Sequence, residues 1–315
     1  METFAQPNPV ASLPFWKTQT TPAVLLYLVV WTGCVSYLAF KGGNFLFPIS
    51  SLILFGGILT GFALFLTRKT QAPSVPVARP RVETLTLLVY LLVYTFVLFG
   101  PLSGMVKRAF NPGPVQEFVV LAYKLIVHLA IPALLIWAVH GHLRGIFDAG
   151  LRRRGVLVTL SVFSGLMIVL LALLNSLFDQ LSAKGLSPSA SAAWIVAAWI
   201  WMALEVGVTE EFLFRGLLQT RLKAWLNSAP MAIVLTAILF ALVHVPSFYL
   251  RGGEAVAKQA ATLPQIIALS VAALGPIAIM LGTLWERTRS FLLIVLVHGA
   301  MDAMPYVQEM IKIWT

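Results

Sequence analysis

The sequence predicts an all-α fold, a polytopic transmembrane helical bundle of about eight or nine spans, and three observations carry that reading. Of 315 residues, 59% are hydrophobic and only 11% are charged, against roughly 25% charged in an ordinary soluble domain. The apolar residues fall into runs long enough to cross the roughly 30 Å hydrocarbon layer of a bilayer. The basic residues collect in the short connections between those runs, the pattern by which membrane proteins fix their orientation. A soluble fold, a disordered chain and a disulfide scaffold are thereby excluded. Cys34 has no second cysteine to pair with, and in an apolar run it reads as a small buried hydrophobe.

In chain order, a largely polar stretch runs through Pro22, and the first apolar run continues to Phe40 with no cleavage pattern after it. That makes it a span and not a signal peptide. Further runs follow at Phe45 to Leu66, Thr84 to Val106, Phe118 to Val139 and Val156 to Phe178. Arg68 to Glu83, with Pro73, Pro76 and Pro80, reads as a linker. From Ala190 to Trp225 the helical pattern is interrupted by Glu205, Glu210, Glu211 and Arg215; shorter runs complete the chain at Ala229 to Val245, Pro264 to Trp285 and Phe291 to Tyr306. Ser247 to Leu263 reads as a connection with an amphipathic tail along the outer interface. Two parts are expected: residues 1–180, apolar helices with cytoplasmic basic loops, and residues 181–315, which carry the polar positions.

The net charge of +10 does not point to nucleic acid, because the cations are spread over loops. Alternating the loops places Lys17, Arg68 to Arg81, Arg144 to Arg154, Arg221 with Lys223, and Arg287 with Arg289 on one side. The positive-inside rule makes that side cytoplasmic, with the N-terminus inside and the plasma (inner) membrane as the expected location. Trp31, Trp137, Trp285 and Trp314, near span ends, read as an aromatic belt.

Ionisable residues inside spans are costly, so each is a candidate for function. At 1.5 Å per helical residue, Glu210 lies about 22 Å from Trp225, His244 about 22 Å from Ala229 and His298 about 14 Å from Arg289. All three therefore fall within the bilayer and are able to meet. Glu211 and Arg215, four apart with the acid first, suit a helical ion pair, while Glu210 is rotated away and free for chemistry. His298 and Asp302 share a helix face, as do Phe240 and His244, where the ring steadies the imidazole. A free carboxylate, two imidazoles and a second acid around one cavity are sufficient to activate water and stabilise an oxyanion. Alternatively, His244, His298 and a carboxylate from Glu210 or Asp302 form a candidate set for a divalent metal such as zinc. The residues themselves leave the choice between no cofactor and a metal open. Glu205 reads as an interhelical or interfacial acid, Lys124 with His128 as interhelical bonding in preference to the lining of a polar cavity, and Gly207 and Gly216 as sites of close helix packing.

Three motifs together, Glu210-Glu211 with Arg215 and Gly216, Phe240 with His244, and His298 with Asp302, resemble the signature of the CAAX-protease and bacteriocin-processing family of intramembrane endopeptidases. The resemblance covers roughly Ala190 to Tyr306. It implies a helical membrane protease with a cavity open to the cytosolic side, acting on a membrane-associated protein or peptide. By position, Glu210 is similar to the family's base, His244 to its partner on the water, and His298 with residue 302 to the oxyanion pair; Glu211 and Arg215 resemble a supporting ion pair. The family more often has asparagine where this chain has Asp302, and an ionised aspartate cannot donate; either Asp302 is kept neutral by apolar burial, or it orients His298 or ligates a metal, with the orienting role favoured. A non-catalytic binding, immunity or scaffold relative and a proton-coupled transporter are the competing readings. The first should lack a motif residue; the second should show paired broken helices. Neither feature is present in the sequence.

Overall fold

The computed structural model describes residues 20–153, 155–174, 177–250 and 262–315. It is helical, with no strand among the described residues. Nine helices there are long and apolar enough to cross a membrane: α1 Thr20–Phe40, α2 Leu46–Leu66, α3 Pro80–Arg108, α4 Pro114–Ala138, α5 Val156–Leu174, α6 Pro188–Leu226, α7 Ala229–Leu250, α8 Leu263–Thr288 and α9 Phe291–Trp314. Lys17, Arg154 and most of the Ser247 to Leu263 connection, with its expected interfacial tail, lie outside the described residues.

Helix starts follow local chemistry. Pro80, Pro114, Pro188 and Pro230 occupy first-turn positions, where a missing N–H costs nothing. Ser228 and Ser290 accept from the backbone N–H of Met231 and Leu293, and Thr262 with Gln265 forms a capping box. The α6–α7 turn is closed by Asn227 at φ +50°, a left-handed position that asparagine tolerates.

Several bounds differ from the sequence reading, two of them with structural consequences. Helix α3 begins at Pro80, so Glu83 is not a linker residue; it is buried and bonded to Arg221 Nε at 3.1 Å. Helix α9 continues two turns past Tyr306 because Val307, Met310 and Ile311 pack with Ile195, Ala198 and Met202 of α6. The tryptophan belt is also corrected at one position. Trp285 is fully buried, donating to Thr220 Oγ1 at 3.1 Å with Arg289 over its ring, whereas Trp137 is 73% exposed as a belt residue should be.

The core sits in the second half. Helix α8 is surrounded by α7, α1 and α2, and α9 by α6 and α5. Gly207 on α6 and Gly299 on α9 set that second contact, since a Cβ on Gly207 would lie 2.4 Å from the Val295 carbonyl oxygen and one on Gly299 2.5 Å from Ala203 Cα. Only glycine permits backbones this close, and the closeness carries Glu211 to His298.

Candidate active site

Helix α6 supplies the acids. Around them the helix opens into wide, five-residue hydrogen-bonded turns at Ala203–Val208 and Phe212–Gln219, a distortion that concentrates at functional positions. Glu210 and Glu211 occupy the segment between, both buried.

His244 comes from a break in α7. Pro246 has no N–H for the carbonyl one turn back, and the helix tightens so that the His244 N–H bonds Ala241 at 3.3 Å. The Phe240 carbonyl is taken instead by the imidazole, with Nδ1 at 2.7 Å. A carbonyl only accepts, so Nδ1 carries the proton. In the neutral ring Nε2 is then a bare acceptor, and it faces Glu210 Oε1 at 3.8 Å. That gap is too long for a direct hydrogen bond and suits a bridging water.

His298, on α9, meets the other acid. Its Nδ1 lies 2.7 Å from Glu211 Oε1, the same oxygen that accepts from Arg215 at 2.8 Å. Arg215, fully buried, also reaches the Ala278 carbonyl and lies 4.7 Å above the Phe240 ring. Phe240 in turn packs 4.7 Å from His244 and 6.3 Å from His298. Phe240 thus touches both imidazoles and the guanidinium, more than the single contact expected of it. Asp302 is the looser neighbour, with Oδ2 3.4 Å from His298 Nε2. The closer contact to His298 is Glu211, and the sequence reading, which looked one turn along the same helix, favoured Asp302.

The seven residues singled out in the sequence, Glu210, Glu211, Arg215, Phe240, His244, His298 and Asp302, therefore converge from three helices. Two others adjoin them without a sequence signal. Tyr94 bonds His128 Nε2 at 2.7 Å, and Phe99 stands edge-on to both His128 and His244, at 6.0 and 5.6 Å. Both are aromatic residues in an apolar run, indistinguishable there from packing. Lys124 pairs with Glu205 at 2.7 Å, whose other oxygen accepts from Trp201 at 2.8 Å. That is the interhelical role expected of Glu205. A cavity of about 520 Å³ adjoins the site, lined by Phe99, Lys107, Arg108, Lys124, Glu205 and Ser247 among others.

A catalytic zinc needs three protein ligands and an open position. Among the described residues no three of His, Cys, Asp and Glu form such a group, and His298 already faces a carboxylate at each ring nitrogen. The candidate set His244, His298, Glu210 and Asp302 thus does not fit a metal centre in this arrangement.

Residues 192–304 match the family model of the Rce1-like type II CAAX prenyl endopeptidases. Over these residues, about a third of the chain, the protein is similar to that family. The matched segment contains every motif residue from Glu210 to Asp302 and takes in α7 and α8 whole. Searches of curated proteins and of solved structures find no match. The nine apolar helices and this similarity support an integral, multi-pass membrane protein.

Proposed function

We propose that the protein is an intramembrane endopeptidase that hydrolyses a peptide bond of a membrane-associated protein or peptide with a water activated by Glu210. The observation that carries this reading is the 3.8 Å gap between Glu210 Oε1 and His244 Nε2. One water in that gap donates one hydrogen to each group. Glu210 takes the proton as the water oxygen attacks the scissile carbonyl carbon, and later gives it to the leaving nitrogen as the carbon–nitrogen bond breaks. His298 stabilises the oxyanion of the tetrahedral intermediate from Nε2–H while Nδ1–H is anchored on Glu211. Asp302, 3.4 Å from the same Nε2, orients the ring before the oxyanion forms and yields that hydrogen to it. Glu211, Arg215 and Phe240 hold the two imidazoles in place. No step is assigned to a metal.

The orientation belongs to the same proposal. The arginine-rich connections meet at one end of the bundle, through Arg221 on the His142 carbonyl, Arg153 on the Arg289 carbonyl and Arg287 on the Thr67 carbonyl. We assign that end, with the N-terminus, to the cytoplasm. The cavity beside His244 is lined by Lys107 and Arg108 from the opposite end of α3.

The experiment is a comparison of membrane peptide termini from cells carrying the wild-type protein or Glu210→Gln. New termini that depend on Glu210 would support the proposal and name the substrate. Identical termini in both would defeat it.

A further inference from the structure

A second cavity, of about 740 Å³, lies on the membrane-facing side between α3 and α7. Its walls are apolar, with Leu88, Leu92 and Phe96 facing Leu239, Val243 and Pro246. It runs from Leu85 to Pro101 along α3, a length of about 24 Å at the helical rise. At Pro101 and Leu250 it meets the polar cavity described above, which both residues also line. There Lys107 and Arg108 stand in the last turn of α3. Among the described residues neither cation has an acid within ion-pair distance, whereas Lys124 in the same cavity is neutralised by Glu205. One continuous surface therefore joins an apolar channel to two positive charges at a span end that no described acid offsets.

We propose that this surface binds an anionic phospholipid, with an acyl chain in the α3–α7 groove and the phosphate on Lys107 and Arg108. An extended peptide would leave backbone N–H and C=O groups against hydrocarbon, which is costly in a membrane. An acyl chain has no polar groups to satisfy. It gains little from leaving other lipid tails, because those tails are equally apolar, so preference for one lipid over another comes from the headgroup. Two basic residues at a membrane surface favour an anionic headgroup by roughly tenfold or more. The groove walls Val243, Val245 and Pro246 flank the break that presents His244, so the lipid would cover the side of the catalytic helix. Binding is expected whether or not the chain cleaves peptides.

The test uses the full-length protein in phosphatidylcholine vesicles containing phosphatidylglycerol or phosphatidylcholine spin-labelled on the acyl chain. Electron spin resonance reads the immobilised fraction. Wild type should hold the phosphatidylglycerol label roughly tenfold more strongly. Lys107→Ala with Arg108→Ala should bring the two labels to parity, and Leu92→Trp should lower immobilisation of both. Lys41→Ala, a cation at the same end but outside both cavities, should preserve the preference, and helix content confirms that each variant is folded. Equal retention by wild type, a preference that survives the double substitution, or a co-purified peptide that excludes the labelled lipid would each overturn the proposal.

Discussion

The two halves of the chain meet the bilayer differently. In the spanning windows of α1 to α5 the buried share is 17, 22, 39, 22 and 33%, whereas in α6 to α9 it is 44, 56, 78 and 67%. The first half turns most of its surface to lipid, and the second is enclosed by it. This teaches why intramembrane acids and histidines concentrate where they do: only an enclosed helix has neighbours on every side to satisfy them. The division is not one of polarity alone. Glu83 and Lys124 of the first half hold Arg221 and Glu205 of the second, and Glu117 accepts from Tyr306 at 2.9 Å. The first half was expected to be purely apolar. It acts as a wall that packs side chains such as Leu87, Tyr90 and Phe163 into the core and adds a few buried polar contacts.

The largest effect on stability should come from breaking one of those polar contacts. Arg221→Ala leaves Glu83 buried without its partner, and unpairing a buried ion costs about 3–5 kcal/mol. Thermal unfolding in detergent should show it, with cleavage per folded molecule little changed. An Arg221→Ala protein as stable as wild type would mean that the Glu83–Arg221 pair does not hold the wall.

Next is the glycine contact inside the core. Gly207→Ala forces a methyl group against the Val295 carbonyl oxygen, and overpacking of this kind costs about 1–3 kcal/mol. It should also lower cleavage, because Glu211 and His298 separate as α6 and α9 move apart. By contrast, Leu92→Ala on the lipid-facing side of α3, where the residue is exposed, should change stability by about 0.5 kcal/mol or less. Equal effects of the two substitutions would erase the contrast between wall and core.

The smallest effect concerns the loop that ties the halves at the arginine-rich end. Asp148 gives its backbone carbonyl to the Phe291 N–H at 2.8 Å. Partial burial raises the pKa of its carboxyl, but bonds from Arg153 and the Gly150 N–H outweigh this and hold it below the usual carboxylate range. A depressed folded pKa stabilises above the unfolded value of about 3.9, and that contribution is lost as pH falls through the folded value. Asp148→Asn should therefore flatten a shallow acid limb below about pH 4 in a stability profile. An unchanged limb would show that the tie does not depend on this charge.

Much of the molecule was legible in the sequence because the membrane simplifies the reading. A crossing needs about twenty apolar residues, so span positions can be counted, and an acid or histidine inside one stands out. That is why Glu210, His244 and His298 could be grouped without coordinates. Pairings between distant residues were not legible. Nothing near Glu83 announces Arg221, and nothing near Tyr94 announces His128, because each partner comes from another helix. Trp285 shows the same limit: its position at a span end suggests an interface, but Thr220 and Arg289 enclose it. The wide turns of α6 leave no mark in composition either.

The central claim is that Glu210, and not a neighbouring acid, activates water inside the bilayer. Single-turnover cleavage by purified protein, comparing Glu210→Gln with Glu205→Gln, tests it most directly. A loss of about a hundredfold or more for Glu210→Gln, against less than about tenfold for Glu205→Gln, at unchanged helix content is the predicted result. Near wild-type cleavage by Glu210→Gln, or the opposite order of severity, would contradict the account.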